Sequence, residues 1–192
     1  MKSLRFVLPV VLMSLATVAF AQHDAHKATD DQVAPPEAQK SFDAMKSLAG
    51  NWEGPVTLDP PQPEMSDGKP LHITMRVTSR GNALVHEMQE AGTPLDAAKY
   101  DHPVTMFYLD NDRLILTHYC DAGNRPRMVA RTSADGKTLD FDFLDVAGST
   151  QFGHMQHAAF TVIDANHHTE DWTYLMPGDK PMHAHMDLQR TK

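Results

Sequence analysis

The sequence predicts an all-β protein: an antiparallel up-and-down β-barrel of about ten strands with a short N-terminal helix. Three observations lead there. From Asn51 onward apolar and polar residues alternate in short runs, the period of a half-buried strand. Tight-turn residues separate those runs. Helical spacing is confined to one stretch ahead of them. Strand count alone leaves a β-sandwich open as an alternative, but closure removes the unpaired edges that an open sheet must protect.

The chain starts as a targeting segment does. Lys2 and Arg5 give a positive start, Phe6 to Phe20 is almost wholly apolar, and Ala19-Phe20-Ala21 is a small-x-small cleavage site. Residues 1–21 are therefore expected to be a signal peptide, and the product an exported protein, periplasmic or extracellular. The apolar run is too short for a comfortable membrane span, no second one follows, and no Cys stands after the cleavage site to carry a lipid. Residues 22–36 are polar, charged and end in Pro35-Pro36, which reads as a disordered leader. Residues 37–192 then form one domain, long enough for a core of its own.

Within that domain Glu37 to Ala49 is the helix. Pro36 suits a helix start, and Phe42, Met45, Leu48 and Ala49 share one face, with Gly50 as the stop. In a barrel such a helix plugs one open end. The strand runs are 52–58, 71–79, 83–89, 104–109, 113–120, 127–132, 138–144, 157–163, 171–176 and 182–190. Arg80-Gly81-Asn82, Asp110-Asn111-Asp112, Asp135-Gly136 and Pro177-Gly178-Asp179 supply hairpin turns. Two longer connections interrupt the meander: Asp59 to Pro70, rich in proline, and Ala91 to Pro103, a loop or a lid over the mouth.

Charge narrows the partners. The full chain carries −8, and losing Lys2 and Arg5 with the signal peptide makes it more acidic still. That argues against nucleic acid and against anionic lipid surfaces. One cysteine, Cys120, leaves no intramolecular disulfide, so the core must hold without one.

Twelve His and twelve Met are many for 192 residues. Alternation sorts some of them by face. His118 and Cys120 share parity with Leu114 and Leu116, and His86 with Leu84 and Met88. His154 shares it with Phe160 and Val162. His86, His118, Cys120 and His154 are thus the candidate ligand-binding residues, a small polar cluster in an apolar cavity that orients a ligand. The alternative is that Cys120 is a small buried hydrophobe and each His a packed core or rim residue. Asn166-His167-His168 reads as a surface turn. Asp140 and Asp142 alternate with Leu139, Phe141 and Phe143 and read as a solvated face, and Arg125 and Arg127 pair with nearby Asp or meet an anionic group at the mouth.

Enzyme signatures are thin. The chain has no Gly-x-Ser-x-Gly elbow, no phosphate-cradling glycine loop and no His-Glu-x-x-His. This leans away from catalysis without deciding the matter.

Gly50-Asn51-Trp52 at the first strand and Leu188-Gln189-Arg190 at the last resemble the calycin superfamily, which includes lipocalins and fatty-acid-binding proteins. The resemblance implies a barrel whose ends meet, with Arg190 stacked on Trp52 as a structural cation–π pair. The segments Thr117 to Met128, Gly153 to His157 and Glu170-Asp171-Trp172 are similar to exported bacterial lipocalin-like proteins with no settled function. Nitrobindin-like haem-binding barrels are a second calycin branch, and by resemblance His183 falls nearest their haem ligand, although parity sets His183 and His185 opposite Met182, Met186 and Leu188. His183-x-His185-Met186 and His154-Met155-x-x-His157, with His23 and His26, resemble the ligand patterns of exported copper-binding chains.

The expected function is non-catalytic binding of a small, mainly apolar molecule inside the barrel. Two alternatives stay open: a barrel that binds haem or a transition metal, and a solid barrel that acts as an interaction protein.

Overall fold

The computed structural model describes residues 36–62, 68–134 and 136–192. The expected signal peptide, the leader up to residue 35 and Asp135 of the Asp135-Gly136 turn lie outside them.

The elements are α1 (Glu37–Ser47), β1 (Gly50–Gly54), β2 (Val56–Asp59), β3 (Leu71–Thr78), β4 (Ala83–Glu90), β5 (Val104–Asp110), β6 (Arg113–Tyr119), β7 (Arg125–Thr132), β8 (Thr138–Ala147), β9 (His154–Asp164), β10 (His167–Met176) and β11 (Lys180–Thr191). Every pairing is antiparallel, and neighbours from β3 to β11 follow chain order. β1 pairs with both β3 and β11, which closes the sheet into a barrel. The first predicted run is split at Pro55, whose missing N–H ends the β1 ladder. β2 then continues the same path along β11, so β1 and β2 occupy one barrel position. Gly54 lets the two chain ends close: a Cβ there would sit 1.8 Å from the Asp187 carbonyl oxygen.

The turns explain the meander. Asp110 pairs with Arg113, and the two residues between them, Asn111 and Asp112, both have positive φ, 48° and 60°. That is the type I′ geometry whose twist matches flanking strands. Gly178 and Asp179 have positive φ in the connection from Met176 to Lys180.

α1 buries Ser41, Phe42 and Met45 and packs on β5, β6 and β7. Leu48 caps it and is buried, so Gly50 is the first residue of β1 and not the helix stop. Behind the helix, Phe107, Phe141, Phe160 and Trp172 form a run of edge-to-face rings with centroids 5.4–5.8 Å apart. Each such contact adds about 0.5–1.5 kcal/mol beyond area burial. These rings pack the middle of the barrel, and the end away from the helix holds the candidate site.

Candidate functional site

At the end of the barrel away from α1 lies a cavity of about 550 Å³. Its walls are Met155, Met176, Met182, Trp172 and Tyr174 from β9, β10 and β11, with Phe152 before β9. Cys120 and Asp121, just after β6, and Asp101 and Pro103, from the loop before β5, complete it. The 91–103 connection therefore contributes directly to the cavity wall.

His118 lies on this cavity and is 1% exposed. The cross-strand register explains its surroundings: Met75, His86, Thr105 and His118 pair in succession across β3, β4, β5 and β6. His118 Nδ1 lies 2.9 Å from Thr105 Oγ1, and the His118 ring is 5.5 Å from that of Trp172. His118 Nε2 is buried and has no hydrogen-bond partner among the described residues. Burial, helped by the nearby charge of His86, pushes the His118 pKa down to about 3, so the imidazole is neutral at ordinary pH.

Beneath the cavity sits a second polar group that the sequence reading did not anticipate. Glu170 on β10 is fully buried. It accepts hydrogen bonds from His86 Nε2 (3.2 and 3.1 Å to its two oxygens), His168 Nε2 (3.0 Å) and Trp172 Nε1 (2.9 Å). Burial alone would raise its pKa, but the charge of His86 and the hydrogen bonds from both histidines outweigh burial and hold it at about 2. Glu170 holds the indole of Trp172, which lines the cavity, and is itself not on the cavity.

Of the four expected ligand-binding residues, His118 and Cys120 line the cavity. His86 is inside the barrel but one layer deeper, held by Glu170, and does not line it. Parity predicts the face of a strand and not the depth along the barrel axis. His154 is also off the cavity. The β9–β10 register skips at Gln156, pairing Thr173 with His157 but Tyr174 with Met155. This bulge inverts the alternation and brings Met155 to the wall in place of His154, which bonds Gln156 and packs 5.0 Å from Phe143.

His183, the haem-ligand candidate of the alternative reading only, is exposed and bonds Thr173 Oγ1 at 3.1 Å, on the opposite face from the cavity-lining Met182 and Ala184. His185 likewise faces out, 2.6 Å from Asp171. His168 corrects the surface-turn reading: β10 begins at His167, and His168 is fully buried, 4.2 Å from Trp52 in an edge contact. The signal was available, because residues 168, 170 and 172 share the parity of buried Trp172. Among the described residues no group of three or more His, Cys, Asp or Glu is placed to hold a metal ion.

Arg127 forms a two-pronged pair with Asp145, with Nε at 2.8 Å, and Arg131 does the same with Asp142. Neither guanidinium lines the cavity. Burial pushes the Cys120 thiol pKa up, with Asp101 and Asp121 adding to it, which keeps the sulfur protonated and a poor nucleophile. No helix among the described residues is long and apolar enough to cross a membrane.

No protein-family model matches the chain, and no curated protein matches it. Among solved structures, a protein of unknown function from the DUF3598 family of Nostoc punctiforme PCC 73102 aligns with a TM-score of 0.47 and 9% sequence identity. The alignment covers 77% of this chain and 49% of that one, so the chain spans about half the length of that structure.

Proposed function

We propose that this chain is an exported, non-catalytic binding protein that holds a small, mainly apolar molecule in the cavity at the open end of the barrel. The observation that carries the proposal is His118: a buried, neutral imidazole with one nitrogen unpartnered among the described residues, on a cavity walled mainly by methionine and aromatic side chains, with Asp101 and Asp121 at its edge. An unsatisfied buried polar atom costs about 1–3 kcal/mol, and a ligand with one polar group removes that cost on binding. Apolar contact with the Met and aromatic walls supplies the rest, at roughly 25 cal/mol per Å² removed from water. The stacked Trp52 and Arg190 support placing the barrel with the calycins. The charged and apolar start of the chain supports export to the periplasm or beyond.

Native mass spectrometry of the protein purified from its own periplasm, with an absorption spectrum of the same sample, tests this. The expected result is a chain cleaved after Ala21, carrying a bound organic mass with no Soret band. A Soret band overturns the proposal in favour of haem. A bare polypeptide mass that also fails to bind the neutral probe N-phenyl-1-naphthylamine overturns it in favour of a barrel that carries nothing.

A further inference from the structure

The hydrogen bond between Thr105 and His118 settles more than the position of the ring. Thr105 is fully buried, and among the described residues its hydroxyl has one partner, His118 Nδ1 at 2.9 Å. Two proton arrangements fit that distance. If Nδ1–H donated to Oγ1, the Thr105 hydroxyl proton would have no acceptor, and the Nε2 lone pair would be buried and bare as well. If the hydroxyl donates to Nδ1, the ring proton sits on Nε2 and Thr105 is satisfied. The second arrangement leaves one orphan where the first leaves two, each costing about 1–3 kcal/mol. His118 therefore offers the cavity an N–H donor.

The rest of the lining rules on charge. Among the described residues no Lys or Arg borders the cavity, while Asp101 and Asp121, both exposed, stand at its edge. The two acids are neighbours, the Asp121 backbone N–H donating to Asp101 Oδ1 at 3.2 Å, and burial together with the charge of Asp121 pushes the Asp101 pKa up. Neutral His118 cannot serve as a counter-ion. An anionic head group would be desolvated beside like charge with nothing to compensate it.

We propose, resting on the cavity reading above, that the ligand is an uncharged apolar molecule bearing a carbonyl-type oxygen that accepts the His118 Nε2–H, and that the site refuses carboxylates such as fatty acids.

Three naphthalenes of nearly one shape test this by calorimetry: 2-acetylnaphthalene, 2-isopropenylnaphthalene and 2-naphthoate. The ketone is expected to bind roughly five- to tenfold more tightly than the alkene, the ordinary value of one neutral hydrogen bond. Partition from water alone would favour the alkene, so the order is diagnostic. Naphthoate is expected to bind weakest. In His118→Phe the advantage of the ketone should vanish. Histidine-selective ¹⁵N correlation spectra of the unaltered protein read the tautomer without any variant, and the Nε2–H form is expected. Equal binding of ketone and alkene, tightest binding of naphthoate, or an Nδ1–H tautomer overturns the ligand class and leaves the cavity reading standing. Binding of none of the three overturns both.

Discussion

The guanidinium of Arg190 lies 4.0 Å over the indole ring of Trp52, joining the last strand of the barrel to the first. The same guanidinium donates to Ala49 O (2.8 Å), Ser47 O (3.4 Å) and Ala165 O (2.9 Å), and Trp52 Nε1 donates to Leu48 O (2.8 Å). The C-terminal carbonyls of α1, which have no partner within the helix, are thus satisfied by the two residues that seam the barrel. Arg190→Ala should cost about 2–4 kcal/mol in urea unfolding, combining the lost ring contact with the orphaned carbonyls. Arg190→Lys should recover only part of this, because an ammonium lacks the flat fork that serves ring and carbonyls together. A loss below about 1 kcal/mol for Arg190→Ala would show that the seam holds without it.

Gly50 belongs to the same arrangement. Its φ is 144°, and a Cβ on it would lie 2.2 Å from Arg190 Nη1. Gly50→Ala should therefore destabilise by about 1–3 kcal/mol. Part of that is the displaced guanidinium and part is backbone strain. In Gly50→Ala combined with Arg190→Ala the clash is gone, so the double variant should be less destabilised than the sum of the singles. Strict additivity in the same unfolding series would place the whole Gly50 effect in the backbone.

Glu170 is held by three N–H donors in a site without water access. Glu170→Gln keeps the shape but removes the charge and turns an amide N–H₂ toward donors, so at least one pair must clash. Breaking a buried ionic group in this way costs about 3–5 kcal/mol. Trp172 should also loosen, visible as a red-shifted tryptophan emission. A double variant, His86→Phe with Glu170→Leu, removes both ends of the His86–Glu170 contact and should be more stable than Glu170→Gln alone. If Glu170→Gln is instead neutral, the carboxylate is not what orders this layer.

How far the sequence shows this architecture can be read from particular residues. The strands and turns were legible because alternation and turn chemistry are local: Asn111-Asp112 declares its hairpin within two residues. Trp52 and Arg190 were legible by resemblance. His118 and Cys120 were legible by parity with Leu114 and Leu116, and both line the cavity. His154 was misplaced because the bulge at Gln156 depends on pairing with β10, which no local pattern encodes. Glu170 was missed because an inward carboxylate reads as a break in an apolar face until its partners are known. One of those partners, His86, lies on β4, which only barrel closure through β1 and β11 brings opposite β10, while His168 and Trp172 flank Glu170 on β10 itself.

The Asn111-Asp112 turn makes a simpler prediction. Both residues sit in the left-handed region, which Asn and Asp tolerate and β-branched residues do not. Asp112→Val should destabilise by about 1–2 kcal/mol, and Asp112→Gly should stabilise by a few tenths to about 1 kcal/mol. Thermal melts of the two variants should move in opposite directions. Movement in the same direction would show that the turn conformation is not what sets the effect.

Acid stability follows from the two displaced titrations. His118 falls from an ordinary 6.5 to about 3 in the folded protein, and Glu170 from 4.5 to about 2. In both cases the unfolded chain binds the proton first as pH falls, so stability is greatest above the ordinary value and is lost on acidification. For His118 the loss runs from about pH 6.5 down to about pH 3, and for Glu170 from about pH 4.5 down to about pH 2. Between about pH 6 and pH 5 only His118 of the pair contributes, with a limiting slope of about 1.4 kcal/mol per pH unit once the unfolded imidazole is fully charged. Urea unfolding of the protein and of His118→Phe across that range should give two lines that diverge, the unaltered protein losing stability faster. Histidines that do not interact with His118 cancel in the difference. Parallel lines would mean that His118 takes up its proton in the folded state, and the neutral N–H donor assigned to the cavity would fall with them.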